Sequence, residues 1–296
     1  MISKDEITHN INSEWEITLK YQKESRYTLC KFIIEVCQKI NLPDETASLA
    51  MLLTNFFFIR KCYFNYDKLT VSCAAILLAS KTQTSLCKFN EISKEYSNIQ
   101  SKIIGPEAVQ KIKEQIGKYE LFLLKELNFN IPEDFPHDLI YVYADLICLD
   151  QEQDIINKAI AMANDSYFTL ANNIYKPYVV ALACLVLAAK FLKLPTILDE
   201  NYKYINNMKK IHKKNMTEEE FNKILIQYNE QKYIKLDENK QCDKLEDEKY
   251  FESLPLCQKL HPNLKMDDLL DCIKLIIEFY QDMKESNNLN NNKITG

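Results

Sequence analysis

The sequence predicts an all-α protein, and three observations carry that prediction. Glycine occurs only three times in 296 residues, at Gly105, Gly117 and Gly296, too seldom for a chain built on tight β-turns. Leu, Ile, Lys and Glu, which lose little on entering a helix, are abundant. Apolar residues recur at three- and four-residue spacing through most of the chain. The shortage of glycine also excludes a P-loop, a dinucleotide fingerprint and the Gly-rich loop of a protein kinase, each of which needs several glycines close together to bring backbone N–H groups onto phosphate.

Residues 1–20 are mostly polar around Trp15 and read as a flanking segment able to form a short helix. From Arg26 onward Leu29, Phe32, Ile33, Val36 and Ile40 fall on one helical face. Pro43 and Asp44 open a second helix, expected over 44–60, with Ala50, Leu53 and Phe57 on one side and Leu49, Leu52 and Phe56 beside them. The third, 67–81, contains VSCAAILLAS, apolar all round, the pattern of a helix in the middle of a bundle. Its Ser72, Ala74, Ala75 and Ala79 let neighbours approach closely. A weaker helix is expected near 89–97. After Gly105 and Pro106 comes a long one in which Ile112, Ile116, Tyr119, Leu123 and Leu127 repeat. Gly117 within it suggests close helix packing or simple tolerance of a helical glycine, packing being preferred.

A second set follows: 136–148, 153–172, 176–192 and 265–284. Residues 203–263 read as an insertion with at most one or two helices, since KLDENKQCDKLEDEK at 235–249 has almost nothing to bury. The two sets repeat each other. LTVSCAAILLASK at 69–81 is similar to YVVALACLVLAAK at 178–190, with Val71/Val180, Ala74/Ala183, Leu78/Leu187, Ala79/Ala188 and Lys81/Lys190 identical.

The net charge is −5, and only Arg26 and Arg60 are arginines, so nucleic acid is not expected as a direct partner. The longest uncharged apolar run, Tyr178 to Ala189, is too short to cross a bilayer, and MISKDEITHN has no signal-peptide core. A soluble intracellular protein without membrane contact is expected. Ten cysteines without a CxxC pair read as buried free thiols. His9, His137, His212 and His261 are scattered, and no catalytic, cofactor or metal site is expected. The basic run Lys209, Lys210, His212, Lys213, Lys214 could serve nuclear import, although a solvated polar face is the commoner reading of such a run.

Several stretches resemble the cyclin family in order and at its spacing. LLASK ending at Lys81 resembles the end of the third cyclin-box helix. KYELFLLKELNFNI at 118–131 resembles the fifth, including the acidic Glu120 and the closing Leu127 and Phe129. Arg26 with Phe32 resembles the first helix, and NLPDET at 41–46 the turn into the second. The region 24–50 and the helix starting near Lys265 look closer to transcriptional cyclins, the K, L, T and H types, than to mitotic ones.

The resemblance implies two five-helix cyclin-box bundles in tandem: a first box at 21–132, a second at 133–284 carrying the insertion, and a disordered tail at 285–296. It implies a non-catalytic regulatory subunit, nuclear or both nuclear and cytoplasmic, that forms a heterodimer with a cyclin-dependent protein kinase and activates it in transcription. Lys81 and Glu120 would hold the kinase backbone, with Phe56, Phe57 and Phe122 as groove or core aromatics. The alternatives left by the sequence are a cyclin-fold transcription factor and a scaffold without kinase activation. Two departures make the scaffold credible: Thr82, Gln83 and Thr84 follow Lys81 where cyclins usually carry acidic residues, and Asn55 stands where many have arginine. Arg26 to Leu29 formally matches an RxxL degradation signal, with Leu29 on the buried face.

Overall fold

The computed structural model describes residues 12, 16–85, 87–99, 106–146, 153–194, 260–261 and 263–294. Every regular element among them is helical: α1 Leu19–Lys39, α2 Asp44–Arg60, α3 Lys68–Thr82, α4 Phe89–Ile99, α5 Pro106–Glu126, α6 Pro136–Leu146, α7 Gln153–Ser166, α8 Ala171–Ile174, α9 Pro177–Phe191 and α10 Met266–Ile294. The insertion expected at 203–263 and its basic run lie almost wholly outside the described residues. None of the described helices is long and apolar enough to cross a membrane.

The chain divides into two compact units, Met1–Asp134 with Asn164–Lys176, and Phe135–Ala163 with Pro177–Gly296. In the first, α3 is the central helix and packs on α1, α2, α4 and α5. Its residues from Thr70 to Ile76 are fully buried all round, as expected of a helix with no polar face. In the second, α9 plays this part between α6 and α10. Each of its residues from Val179 to Ala189 is buried.

Helix ends follow local chemistry. Thr18 caps α1 by accepting from the Tyr21 amide at 3.3 Å. Three helices end in the same 6→1 and 5→2 backbone pattern with a residue in the left-handed region. At α1 Leu42 donates to the Cys37 carbonyl (2.9 Å) and Asn41 to Gln38 (3.2 Å), with Asn41 at φ 54. Asn128 does the same for α5 and Lys193 for α9. Asparagine accepts this backbone more readily than most side chains.

Four expectations change. The helix expected at 153–172 breaks after Ser166. There the Thr169 hydroxyl donates to the Ser166 carbonyl (2.6 Å) and accepts from the Ala171 amide (3.0 Å), so a side chain takes over backbone bonding. Second, residues 164–176, which the sequence assigned to the second box, pack in the first unit. Asn55 Nδ2 donates to the Tyr167 carbonyl at 2.9 Å and the Thr169 carbonyl at 3.4 Å, and Asn173 Nδ2 donates to the Leu52 carbonyl at 3.1 Å. Tyr167 is itself buried. Third, α10 runs on to Ile294 through the expected disordered tail, since each residue added to an existing helix gains a hydrogen bond without a new nucleation cost. Fourth, Gly117 is exposed, and a Cβ there would meet nothing within 4 Å, so close packing does not explain it.

Asn12 is fully buried. Its Nδ2 donates to the Phe58 carbonyl (2.7 Å) and its Oδ1 accepts from the Tyr63 amide (3.0 Å), satisfying backbone groups left over where α2 ends. All seven described cysteines are unbridged, and six of them are buried.

Candidate partner-binding site on the first unit

The last turn of α3 and the middle of α5 meet at Lys81 and Glu120. Lys81 Nζ donates to Glu120 Oε1 at 2.6 Å, although the two residues are 39 apart in sequence. The lysine side chain is half exposed (50%) and the carboxylate largely covered (15%). Lysine in a helix's last turn is also favoured by the helix dipole. A surface pair of this kind contributes little to stability, about 0–1 kcal/mol. It does hold an ammonium and a carboxylate in fixed register, one a donor and the other an acceptor for a peptide backbone.

Behind the pair, aromatic rings fix α5 against α2. Tyr119 and Phe122 flank Glu120 on α5. Phe57 on α2 meets them at centroid separations of 6.3 and 5.6 Å, and Tyr66 meets Phe57 at 5.0 Å and Tyr119 at 6.0 Å. Such edge contacts contribute about 0.5–1.5 kcal/mol each beyond burial. The Tyr119 hydroxyl titrates above its usual range, chiefly through burial. The C-terminal end of α5 is held by α2's basic pair. Arg60 Nη1 donates to the Glu126 carbonyl (3.2 Å), while Lys61 Nζ lies 3.2 Å from Glu126 Oε1 and 4.8 Å from the Phe122 ring centre.

The five residues singled out from the sequence therefore separate. Lys81 and Glu120 come together. Phe57 is 1% exposed and belongs to the core beneath α5. Phe122 is half-buried between that core and Lys61. Phe56 joins none of these ring contacts among the described residues and carries the Arg60 guanidinium over its face at 4.5 Å. Exposed apolar surface on the same helix comes instead from Leu121 (49%) and, just past its end, Phe129 (67%). Phe129 also has a positive φ of 60°, a strained backbone for an aromatic residue. The closing L-x-F of the sequence signalled Phe129, but nothing in the pattern distinguished an exposed phenylalanine from a core one.

The segment after Lys81 is pinned. Thr84 donates its amide to the Lys81 carbonyl (3.4 Å) at φ 52, and Ser85 Oγ lies 2.8 Å from Thr46 Oγ1 at the start of α2. Cys87 Sγ bonds Ser80 Oγ at 3.2 Å, and burial raises its thiol pKa. Asn55, by contrast, is buried (4%) and turned to the 167–169 carbonyls, so it presents no surface here. Leu29 is 3% exposed, which hides the leucine of the formal RxxL stretch. Among the described residues no group of His, Cys, Asp or Glu could hold a metal ion.

A central small-residue helix is packed by four others in the first unit, and α9 takes the same central part in the second. Residues 1–132 match the family model of the cyclin N-terminal domain. Over its longer span the chain is similar to Cyclin-T1-1 of Oryza sativa subsp. japonica, 26% identical over 199 residues that cover 64% of this chain and 44% of the relative. It is also similar to human Cyclin-L1, 24% identical over 203 residues, 66% of this chain and 39% of that one. The chain spans less than half the length of these curated relatives. Among solved structures, a chain of the yeast RNA Pol II CTD kinase CTDK-1 complex shares the fold at TM-score 0.59 and 15% identity, covering 93% of this chain and 82% of that chain. A chain of the yeast TFIIK complex does so at TM-score 0.51 and 16% identity, covering 65% and 85%.

Proposed function

We propose that this protein is a cyclin: a regulatory subunit, not itself catalytic, that binds a cyclin-dependent serine/threonine kinase through its first unit and activates it. The observation that carries this reading is the Lys81–Glu120 pair, 2.6 Å apart at the α3/α5 edge of a unit whose sequence matches the cyclin N-terminal domain. A kinase works when the glutamate of its C-helix pairs with the lysine that orients the ATP phosphates. A partner that binds only the helix-in state raises activity by shifting that population. Lys81 and Glu120 would set the register of the kinase backbone, and Leu121 and Phe129 would supply apolar contact beside them. Phe57 and Phe122 would act from beneath by keeping α5 in place. Likeness to T- and L-type cyclins supports a role in transcription, with the polymerase tail or its machinery as substrate, and a nuclear location.

The buried position of Asn55 bears on the scaffold alternative, because a residue turned inward cannot weaken a kinase interface directly. The test is affinity purification of the full chain, identification of the bound proteins, and a kinase assay of the eluate on a polymerase-tail peptide. A co-purifying cyclin-dependent kinase, active with the chain and inactive without it, is the expected result. A bound kinase whose activity is independent of the chain would make it a scaffold, and no bound kinase would overturn the reading.

A further inference from the structure

Lys190 is the repeat counterpart of Lys81 and likewise ends a central helix, but the surroundings differ. Lys81 is neutralised by Glu120, whereas Lys190 pairs with no carboxylate among the described residues. It belongs to a patch on the second unit that combines positive charge with exposed apolar surface. Phe191 is 64% exposed, and Lys158 of α7 holds its ammonium 4.1 Å from that ring's centre. The chain then turns through exposed Lys193 at φ 56 to Leu194, which is 38% exposed. Backbone bonds from Lys193 to the Lys190 carbonyl (3.1 Å) and from Leu194 to the Ala189 carbonyl (2.9 Å) fix this turn, so the side chains are presented in set order. The nearest acid on α7, Asp154, lies one turn from Lys158 and makes no ion pair with it.

We propose that this surface, Lys158, Lys190, Phe191, Lys193 and Leu194, docks an acidic peptide segment of a partner protein, with an apolar side chain of the peptide against Phe191 and Leu194. Charge complementarity selects the occupant. Three ammonium groups without carboxylate partners among the described residues attract negative charge, and the two exposed apolar side chains give buried area that charge alone would not. A nucleic acid fits less well. The patch has no arginine to grip phosphate in two-pronged fashion, and the net charge of −5 repels a long polyanion. The proposal is independent of the kinase assignment, since it concerns other residues on the other unit.

The test is fluorescence anisotropy of a labelled peptide of alternating glutamate and leucine, titrated with the full chain at low and moderate salt. Saturable binding that weakens with salt is expected. Lys190→Glu with Lys193→Glu should weaken it roughly tenfold or more, and Phe191→Ser several-fold. Lys81→Ala should leave it unchanged. Lys190→Gln with Lys193→Gln, which removes charge without reversing it, should fall between parent and reversal, and helical melts verify that each variant is folded. Unchanged affinity in the folded lysine variants would overturn the proposal. So would equal binding of a lysine–leucine peptide, or tighter binding of a single-stranded RNA through the same lysines.

Discussion

Replacing Asn55 by leucine tests why residues 164–176 belong to the first unit. Leucine keeps the branched outline of asparagine but has bulkier methyl groups, so the change removes the hydrogen bonds and any overpacking adds to that loss. Asn55 Nδ2 serves two buried carbonyls, Tyr167 at 2.9 Å and Thr169 at 3.4 Å. The Tyr167 carbonyl also accepts the weak Cys30 thiol donor at 3.6 Å. Stranding a buried carbonyl costs about 1–3 kcal/mol. With one carbonyl partly served and the longer bond the weaker, the expected loss is about 2 kcal/mol. For a unit of this size that lowers the melting temperature by roughly 4–8 °C. Circular dichroism reads the melt, and limited chymotrypsin digestion reads the segment itself, with earlier cleavage at Tyr167 and Phe168 expected. A melt within about 1 °C of the parent, with cleavage unchanged, would refute the reasoning.

Four further outcomes follow from the geometry. Gly117→Ala should raise stability by about 1 kcal/mol in a thermal melt, because the site is helical, open and free of any contact for the new methyl group. Thr84→Asn should stabilise by up to about 1 kcal/mol in urea, since a β-branched residue is held at φ 52 with its side chain exposed. Stability should fall as pH rises above about 9. Burial pushes the Cys30 and Cys37 thiols up from 9.0 to about 12 and Tyr63 from 10.0 to about 12, with Cys73 and Cys272 also raised. Above pH 9 the unfolded chain releases thiol protons that the folded chain retains, so alkali favours unfolding. Urea titrations at pH 8 and pH 10 check the sign, and native alkylation should modify half-buried Cys87 before the six buried described thiols.

Much of the first unit could be read from sequence because its signals are local and redundant. The all-round apolar pattern of VSCAAILLAS dictates a central helix, and α2, expected over 44–60, spans Asp44–Arg60. Lys81 and Glu120 were named as a pair through family resemblance, and the fold brings them into contact. Periodicity could not separate Phe56, Phe57 and Phe122, because neighbouring phenylalanines on a wide apolar face differ only in which element covers them. Asn55, Asn12 and Asn173 were missed as structural anchors for a related reason: a buried asparagine is satisfied by carbonyls distant in sequence, 112 and 46 residues away for Asn55 and Asn12. The break after Ser166 was missed because it depends on the Thr169 hydroxyl competing for backbone groups, which hydrophobic spacing does not register. Gly117 misled, since a helical glycine can be simply tolerated.

Quantitative capture of the proposed partner kinase by the Lys81→Ala, Glu120→Ala double variant is the most direct measurement. Because the pair is a surface ion pair, the melt should shift by no more than its contribution of about 0–1 kcal/mol, while kinase recovery drops to background. Recovery equal to the parent from a fully folded double variant would contradict the assignment of this edge to the kinase.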